Sequence, residues 1–92
     1  MHETGIVRNL VRQLETAARE SGAVRVSGVD VWLGALSQFS PEHFREHFAD
    51  EACGTLAEGA VLRIEVSHDL RDPHAQDVMM TGIEFDVPDG EG

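Results

Sequence analysis

Apolar side chains recur at helical spacing over the first twenty residues, and charged side chains occupy the opposite face. The apolar positions are Ile6, Val7, Leu10, Val11, Leu14, Ala17 and Ala18. Thr4 is expected to be the N-cap, and the Ser21-Gly22 pair is typical of a helix end. The pattern predicts a first helix from Gly5 to Ser21, whose apolar stripe must pack against another element.

A strand with a change of phase is predicted after this helix. Its alternating apolar positions are Val24 and Val26 in one phase, then Val29, Val31 and Leu33 in the other. The change falls at Gly28, which predicts a β-bulge within one long strand. Trp32 is expected to pack in the core together with the phenylalanines.

A second helix is predicted after Ser40. Ser40 is expected to be its N-cap, and Pro41 suits the first helical position. Glu42 then lies in the first turn, where the helix dipole favours an acidic residue. This helix should end at Gly54. One face of it carries Phe44, Phe48 and Ala52.

Two further strands complete the predicted fold. AVLRIEV and VMMTGIEFDV alternate as strands, and the polar stretch between them, residues 67–77, is predicted to be a loop. The expected core-facing positions are Leu62, Ile64, Val66, Ile83, Phe85 and Val87. The strand–helix–strand unit favours a right-handed parallel crossover, and the last two strands could pair antiparallel across the loop. The order α-β-α-β-β predicts an α/β (α+β) fold, with two helices packed on one face of a three-stranded mixed β-sheet.

Length and charge restrict the function. The 92 residues fit one domain over 1–87 with a flexible tail at 88–92. The formal net charge of -10 disfavours nucleic acid and anionic membranes as partners. The longest apolar run, residues 31–36, is too short to span a bilayer, and no secretory signal is recognised. The single cysteine, Cys53, cannot form an internal disulfide and fits a reducing compartment. We therefore expect a cytoplasmic protein.

Two groups of histidines are candidate metal ligands. His43 and His47 lie four residues apart on the second helix, a spacing that can place both imidazoles on one ion, although a solvated helix face is the preferred interpretation. The second group lies in the 67–77 loop, where an acidic surface loop is preferred to a residual metal site. It comprises His68, His74, Asp69, Asp72 and Asp77.

An enzyme is not expected. The GTLAEG stretch lacks the lysine and hydroxyl residue of a P-loop, and no Ser-His-Asp arrangement is suggested. Cys53 has no assigned base beside it and is interpreted as a small, partly buried residue.

Three stretches together resemble the hydrogenase nickel-incorporation metallochaperones of the HypA/HybF family. They are MHE at the start, LGALSQFSPEHF, and GTLAEGAVLRIE. The resemblance implies a small cytoplasmic protein that binds Ni(II) at its N-terminus and hands it on while the nickel-iron site of hydrogenase is assembled. A maturation GTPase and the hydrogenase large subunit are the implied partners, and a homodimer is possible.

The chain also departs from the family pattern. Family members carry a zinc domain between the second and third strands, built from two Cys-x-x-Cys pairs, whereas residues 67–77 contain no cysteine. Structural zinc is therefore not expected. The alternative function is that of a zinc-less paralogue that docks proteins during metalloenzyme assembly without delivering metal.

Met1, His2 and Glu3 are the predicted nickel ligands. The terminal amine of Met1 and the amide nitrogen and imidazole of His2 can close adjacent chelate rings, and Glu3 can add its amide or carboxylate. Ni(II) favours such a square-planar or tetragonal set of nitrogen and oxygen donors. Since each donor must be deprotonated, affinity should fall as the pH drops from ~8 to ~6.5, the usual values for a free amine and an imidazole.

Overall fold

The computed structural model describes residues 3–88, and the side chains of residues 5–88. Its elements are α1 (Glu3–Glu20), β1 (Arg25–Leu33), α2 (Pro41–Ala52), β2 (Val61–Val66) and β3 (Val78–Asp86). This order and the mixed three-stranded sheet confirm the predicted fold class. Neither described helix has the length and apolarity that crossing a membrane requires.

Helix α1 begins earlier than predicted and ends where predicted. It starts at Glu3, so Thr4 lies inside the first turn and is not the N-cap. An acidic residue is favoured in that turn by the helix dipole, which explains the earlier start. At the other end, Gly22 adopts a φ of 72° and donates to the Arg19 carbonyl at 3.1 Å, while the Ala23 N–H donates to the Ala18 carbonyl at 2.8 Å. This pair of bonds is a Schellman motif, which confirms the predicted stop.

Strand β1 is the centre of the sheet, whose order is β2-β1-β3. It runs parallel to β2 and antiparallel to β3. The register against β3 shifts between Val26 and Gly28, which confirms the predicted bulge, and shifts again between Asp30 and Val31. The predicted pairing of the last two strands is wrong, because both pair with β1 and lie on opposite sides of it. The central position fits the strand whose core-facing residues are the most deeply buried.

Both helices pack on one face of the sheet and share one apolar core. The largest fully buried side chains are Phe44, Leu14, Leu33, Val7, Val26, Val29 and Val31. Phe44 lies edge-on to Phe39, with ring centroids 5.3 Å apart, and stacks on Phe48 at 6.4 Å. The core thus joins α1, α2, β1 and the segment that leads into α2.

The opposite face of the sheet carries polar and half-buried side chains. Arg63 of β2 donates to Asp30 of β1 and, at 3.3 Å, to Glu84 of β3, so one guanidinium links all three strands. The hydrogen bond that Arg63 donates to Asp30 raises the pKa of Arg63, which keeps the arginine charged. Trp32 is half-buried and lies outside the core cluster, so its predicted core position is wrong. It alternates with Val31 and Leu33, which face the helices.

Three other burial predictions are also wrong. Val87 is 59% exposed because β3 ends at Asp86, one residue before it. Val66 is exposed at the end of β2, an edge strand. Cys53 is exposed because it caps α2 and the chain turns away at Gly54, whose φ is 80°.

Candidate metal centre

The predicted nickel ligands lie at and before the first residue of α1. Met1 and His2 are outside the described residues, and so is the side chain of Glu3, whose backbone opens the helix. Their coordination of nickel therefore stays a prediction. The surroundings of the first helical turn are described, and they show which other groups this end of the protein brings together.

Two connecting segments of the chain emerge from the same end of the sheet. Leu33 at the end of β1 pairs with Val66 at the end of β2 and with Val78 at the start of β3. Segments 34–40 and 67–77 therefore both emerge from this end. Ile6 of the first turns of α1 lines a cleft of about 770 Å³ there, together with residues of both segments and the start of β3. The cleft residues are Ile6, Leu36, Ser37, Gln38, Phe39, His74, Gln76, Asp77, Val78 and Met79.

His74 and Asp77 form a hydrogen-bonded pair within this cleft. The Nδ1 atom of His74 lies 2.9 Å from Oδ2 of Asp77. The His74 N–H donates to Oδ1 of Asp72 at 2.7 Å, and the Asp77 N–H donates to the His74 carbonyl at 2.8 Å. With Nδ1–H donating to the carboxylate, Nε2 carries the lone pair that can bind a metal ion.

Gly34 allows the turn that carries this pair to pack on the end of β1. The Gly34 N–H donates to the Asp77 carbonyl at 2.9 Å, and the Leu36 N–H donates to the Ala75 carbonyl at 2.7 Å. Ala75 is buried beneath the turn. A Cβ at Gly34 would overlap the Ala75 carbonyl oxygen and lie 2.6 Å from the His74 carbonyl oxygen. Only glycine permits this approach without moving backbone.

The remaining candidates are not assembled into a metal site. His43 and His47 are neighbours on α2, with ring centroids 5.3 Å apart and ring planes inclined by 51°. Within the part of the chain that the structure describes, no group of three or more histidine, cysteine or acidic side chains is arranged to hold a metal ion. The loop histidines and aspartates therefore do not form a preassembled site. His68 lies outside the cleft lining, whereas His74 is part of it.

Ser40 is the N-cap of α2, as predicted. Its Oγ accepts the His43 N–H at 3.1 Å, and Pro41 occupies the first turn. Capping fixes where α2 starts and therefore the path of segment 34–40 along the cleft. Gln38 in that segment has a φ of 69°, a left-handed conformation that is uncommon for a residue with a side chain.

The family model described as "Hydrogenase/urease nickel incorporation, metallochaperone, hypA" matches residues 1–70. The chain belongs to this family. The HypA match includes the MHE stretch and all elements from α1 to β2, and it ends within the 67–77 loop.

Curated HypA relatives agree with this assignment. The hydrogenase maturation factor HypA of Chlorobium limicola is 45% identical over 65 residues, which cover 71% of this chain and 56% of the relative. The hydrogenase maturation factor HypA of Chlorobaculum tepidum is 40% identical over 65 residues, which cover 71% of this chain and 58% of that protein. The chain thus matches a little over half the length of these relatives.

The HypA fold is also shared with solved structures. The solution structure of the Ni metallochaperone HypA from Helicobacter pylori superposes with a TM-score of 0.79 and 17% identity, covering 96% of this chain and 100% of that one. The likeness shows the fold. The 92 residues contain one cysteine and cannot supply four thiolates. The absence of structural zinc stays a prediction, since nitrogen and oxygen donors also bind zinc.

Proposed function

We propose that this member of the HypA family binds Ni(II) through Met1, His2 and Glu3 and passes it on during the maturation of nickel-iron hydrogenase. The observation that carries the proposal is the family match from residue 1, which includes all three residues. The curated relatives named as hydrogenase maturation factors support the same role. Nickel is cargo in this role, and the folded body is the surface that partners recognise.

The donor chemistry suits a carrier. An amine, a deprotonated amide and an imidazole bind Ni(II) through nitrogen, and the carboxylate of Glu3 adds negative charge. That charge is useful beside α1, because the start of a helix carries a partial positive charge that repels a cation. The overall charge of -10 draws divalent cations toward the protein. A maturation GTPase and the hydrogenase large subunit are the proposed recipients or partners.

A second candidate function is protein docking without metal delivery. The cysteine count favours it, because the paired thiolates of a zinc domain cannot come from these residues. The two functions differ in one property: a docking module needs the folded body but not the terminal amine.

Calorimetric titration of Ni(II) tests the proposal. The protein is prepared to begin at Met1 with an unblocked amine and is compared with His2→Ala and with a variant that carries one glycine before Met1. We expect one Ni(II) per chain in the first. We expect losses above about 100-fold in both variants, beyond the 10–100-fold that loss of an outer-shell partner causes.

The double variant His43→Ala/His47→Ala is the matched control, and it should bind nickel like the unchanged protein. Equal binding by the unchanged, His2→Ala and extended proteins would refute the terminal site. No nickel binding, together with retained binding to the maturation GTPase, would favour the docking function.

A further inference from the structure

We propose that the free edge of β3, together with the groove between β3 and α1, binds an extended segment of a partner protein. The segment adds to the sheet as a fourth strand and carries apolar side chains and at least one acidic side chain toward α1. The inference does not rest on nickel binding.

The edge of β3 is longer and less protected than the edge of β2. β2 has six residues, which include the charged Arg63 and Glu65, and its Leu62 carbonyl accepts a hydrogen bond from Arg45 of α2 at 2.9 Å. β3 has nine residues, and its part from 78 to 83 carries no charge. Among the described side chains, none donates to the backbone of 78–83 as Arg45 does to β2. Since charges and covering groups keep edge strands from pairing, this part of β3 is open to another strand.

The backbone of β3 directs hydrogen-bonding groups away from the sheet. The Gly34 N–H donates to the Asp77 carbonyl at 2.9 Å, so Asp77 and, by antiparallel alternation, Met79 face β1. Val78 and Met80 therefore direct their N–H and C=O groups to the free side, while their side chains pack on the helix side. The residues of an added strand that bond to these groups would place their own side chains on the α1 side.

A groove of about 840 Å³ lies between α1 and the start of β3, next to these backbone groups. Its apolar lining includes Ile6, Val78 and Met80, which are only half-buried. All nine residues of β3 are half-buried or exposed. An added strand would cover this apolar surface as well as satisfy the backbone.

The charge of the groove favours an acidic segment. Arg8 and Arg12 both line it, and none of the described side chains in its lining is acidic, although the chain carries a net charge of -10. Arg8 is paired with Glu51 of α2 at 3.1 Å. Arg12 is exposed and makes no ion pair with another described residue. A carboxylate on the added strand would therefore find an uncompensated guanidinium at Arg12.

A second copy of this chain fits the groove less well. Its own β3 could pair with this edge, but Glu84 and Asp86 are already paired with Arg63 and Arg25 on the sheet face opposite the helices. Such a pair of strands supplies no carboxylate for Arg12. Two copies that each carry a charge of -10 also repel each other.

NMR titration with capped synthetic peptides tests the inference. The probe Thr-Val-Thr-Glu-Thr-Val-Thr-Glu-Thr is compared with a version that has lysine in place of both glutamates. We expect the glutamate peptide to shift the amide signals of Val78 and Met80, protect them from hydrogen exchange, and bind at least about threefold more tightly than the lysine peptide. This order is informative, because the overall charge of the protein by itself favours the lysine peptide. The glutamate peptide with N-methylated valines and glutamates should not bind, since it lacks the N–H groups that pair with β3.

Two variants locate the charge effect. Arg12→Glu should reverse the order of the glutamate and lysine peptides. Arg19→Glu is the matched control, because Arg19 lies on the same helix outside the groove lining, beside Glu15. It should keep the order found with the unchanged protein. Thermal melting followed by circular dichroism verifies that both variants are folded.

Three results would each overturn the inference: no binding of the glutamate peptide at concentrations on the order of 1 mM, equal binding of its N-methylated form, or tighter binding of the lysine peptide. Analytical ultracentrifugation of the protein alone should show a monomer. A dimer in which the amides of Val78 and Met80 are protected would overturn the acidic segment in favour of a second copy. The nickel titration with His2→Ala is independent of all these measurements, so the two proposals fail separately.

Discussion

Replacing Gly34 by alanine should both destabilise the fold and displace His74. The new Cβ would lie 2.6 Å from the Ala75 carbonyl carbon and 2.6 Å from the His74 carbonyl oxygen. Both neighbours are backbone atoms, so neither can rotate away as the end of a flexible side chain would. The 73–77 turn must therefore move off the end of β1.

The interactions that hold this turn determine the magnitude. Moving it weakens the bonds from Gly34 to Asp77, 2.9 Å, and from Leu36 to Ala75, 2.7 Å. Each is worth about 1 kcal/mol net. The Ala75 methyl group, now buried, adds about 0.8 kcal/mol when it is exposed. We expect the free energy of unfolding to fall by about 2–4 kcal/mol, which for a domain of this size lowers the melting temperature by roughly 10–25 °C.

Urea denaturation and thermal melting measure this loss, and the NMR chemical shifts of the His74 ring report its displacement. Gly5→Ala is the matched control, because a Cβ at Gly5 meets nothing within 4 Å and alanine favours the helix. It should leave stability unchanged or raise it by up to about 1 kcal/mol. A loss below about 0.5 kcal/mol in Gly34→Ala, the range of ordinary surface substitutions, would show that the close approach is not as described.

Two further substitutions test the elements that hold segment 34–40. Ser40→Ala removes the acceptor of the His43 N–H. It should reduce the free energy of unfolding, measured by urea denaturation, by about 1 kcal/mol. An unchanged denaturation midpoint would argue against the cap. Phe44→Ala empties a fully buried position beside Phe39 and Phe48. By the same measurement, the free energy of unfolding should fall by about 3–5 kcal/mol. A loss below about 1 kcal/mol would contradict the place of Phe44 in the core.

Local signals in the sequence predicted local structure well. The phase change at Gly28 corresponds to a real shift of register, and the Ser21-Gly22 pair corresponds to a Schellman motif. The Ser40 cap was also predictable, because a hydroxyl before proline and an acidic residue satisfies the free amides of a helix start. In each case the residue acts on the backbone within a few positions of itself.

Pairing and exposure were less predictable. Alternation shows which face of a strand is apolar, but it does not show which strands are neighbours, so the pairing of β3 with β1 was missed. Val87 continues the alternation of β3, yet it lies one residue past the last paired position. Neither error can be corrected from spacing alone, because both depend on where the sheet ends.

The candidate site was also only partly predictable: local patterns were recognisable, and spatial neighbours were not. The MHE stretch is a local pattern and was recognisable. His68 and His74 were equivalent in the sequence, since both lie in an acidic loop. Only the fold distinguishes them, because β3 starts beside the end of β1 and draws the last residues of the loop into the cleft. Gly34, directly after a strand, was the one signal that could have indicated close packing at this point.

The sheet order also explains why the 67–77 connection can form a turn against the end of β1. It must pass from β2 to β3 across the end of β1, a distance of about 10 Å for two strand spacings, which three or four extended residues can span. The connection has eleven residues, so most of its length is not needed to join the strands. Residues 73–77 form a turn that packs on Gly34 and buries Ala75, and His74 in this turn lines the cleft. Among the hydrogen bonds that the described residues make, the first part of the loop is attached to β1 only by the bond from the Ser67 N–H to the Leu33 carbonyl. The attachment of the loop to the end of β1 therefore depends on residues 73–77, and the preceding residues can vary in length without disturbing the core.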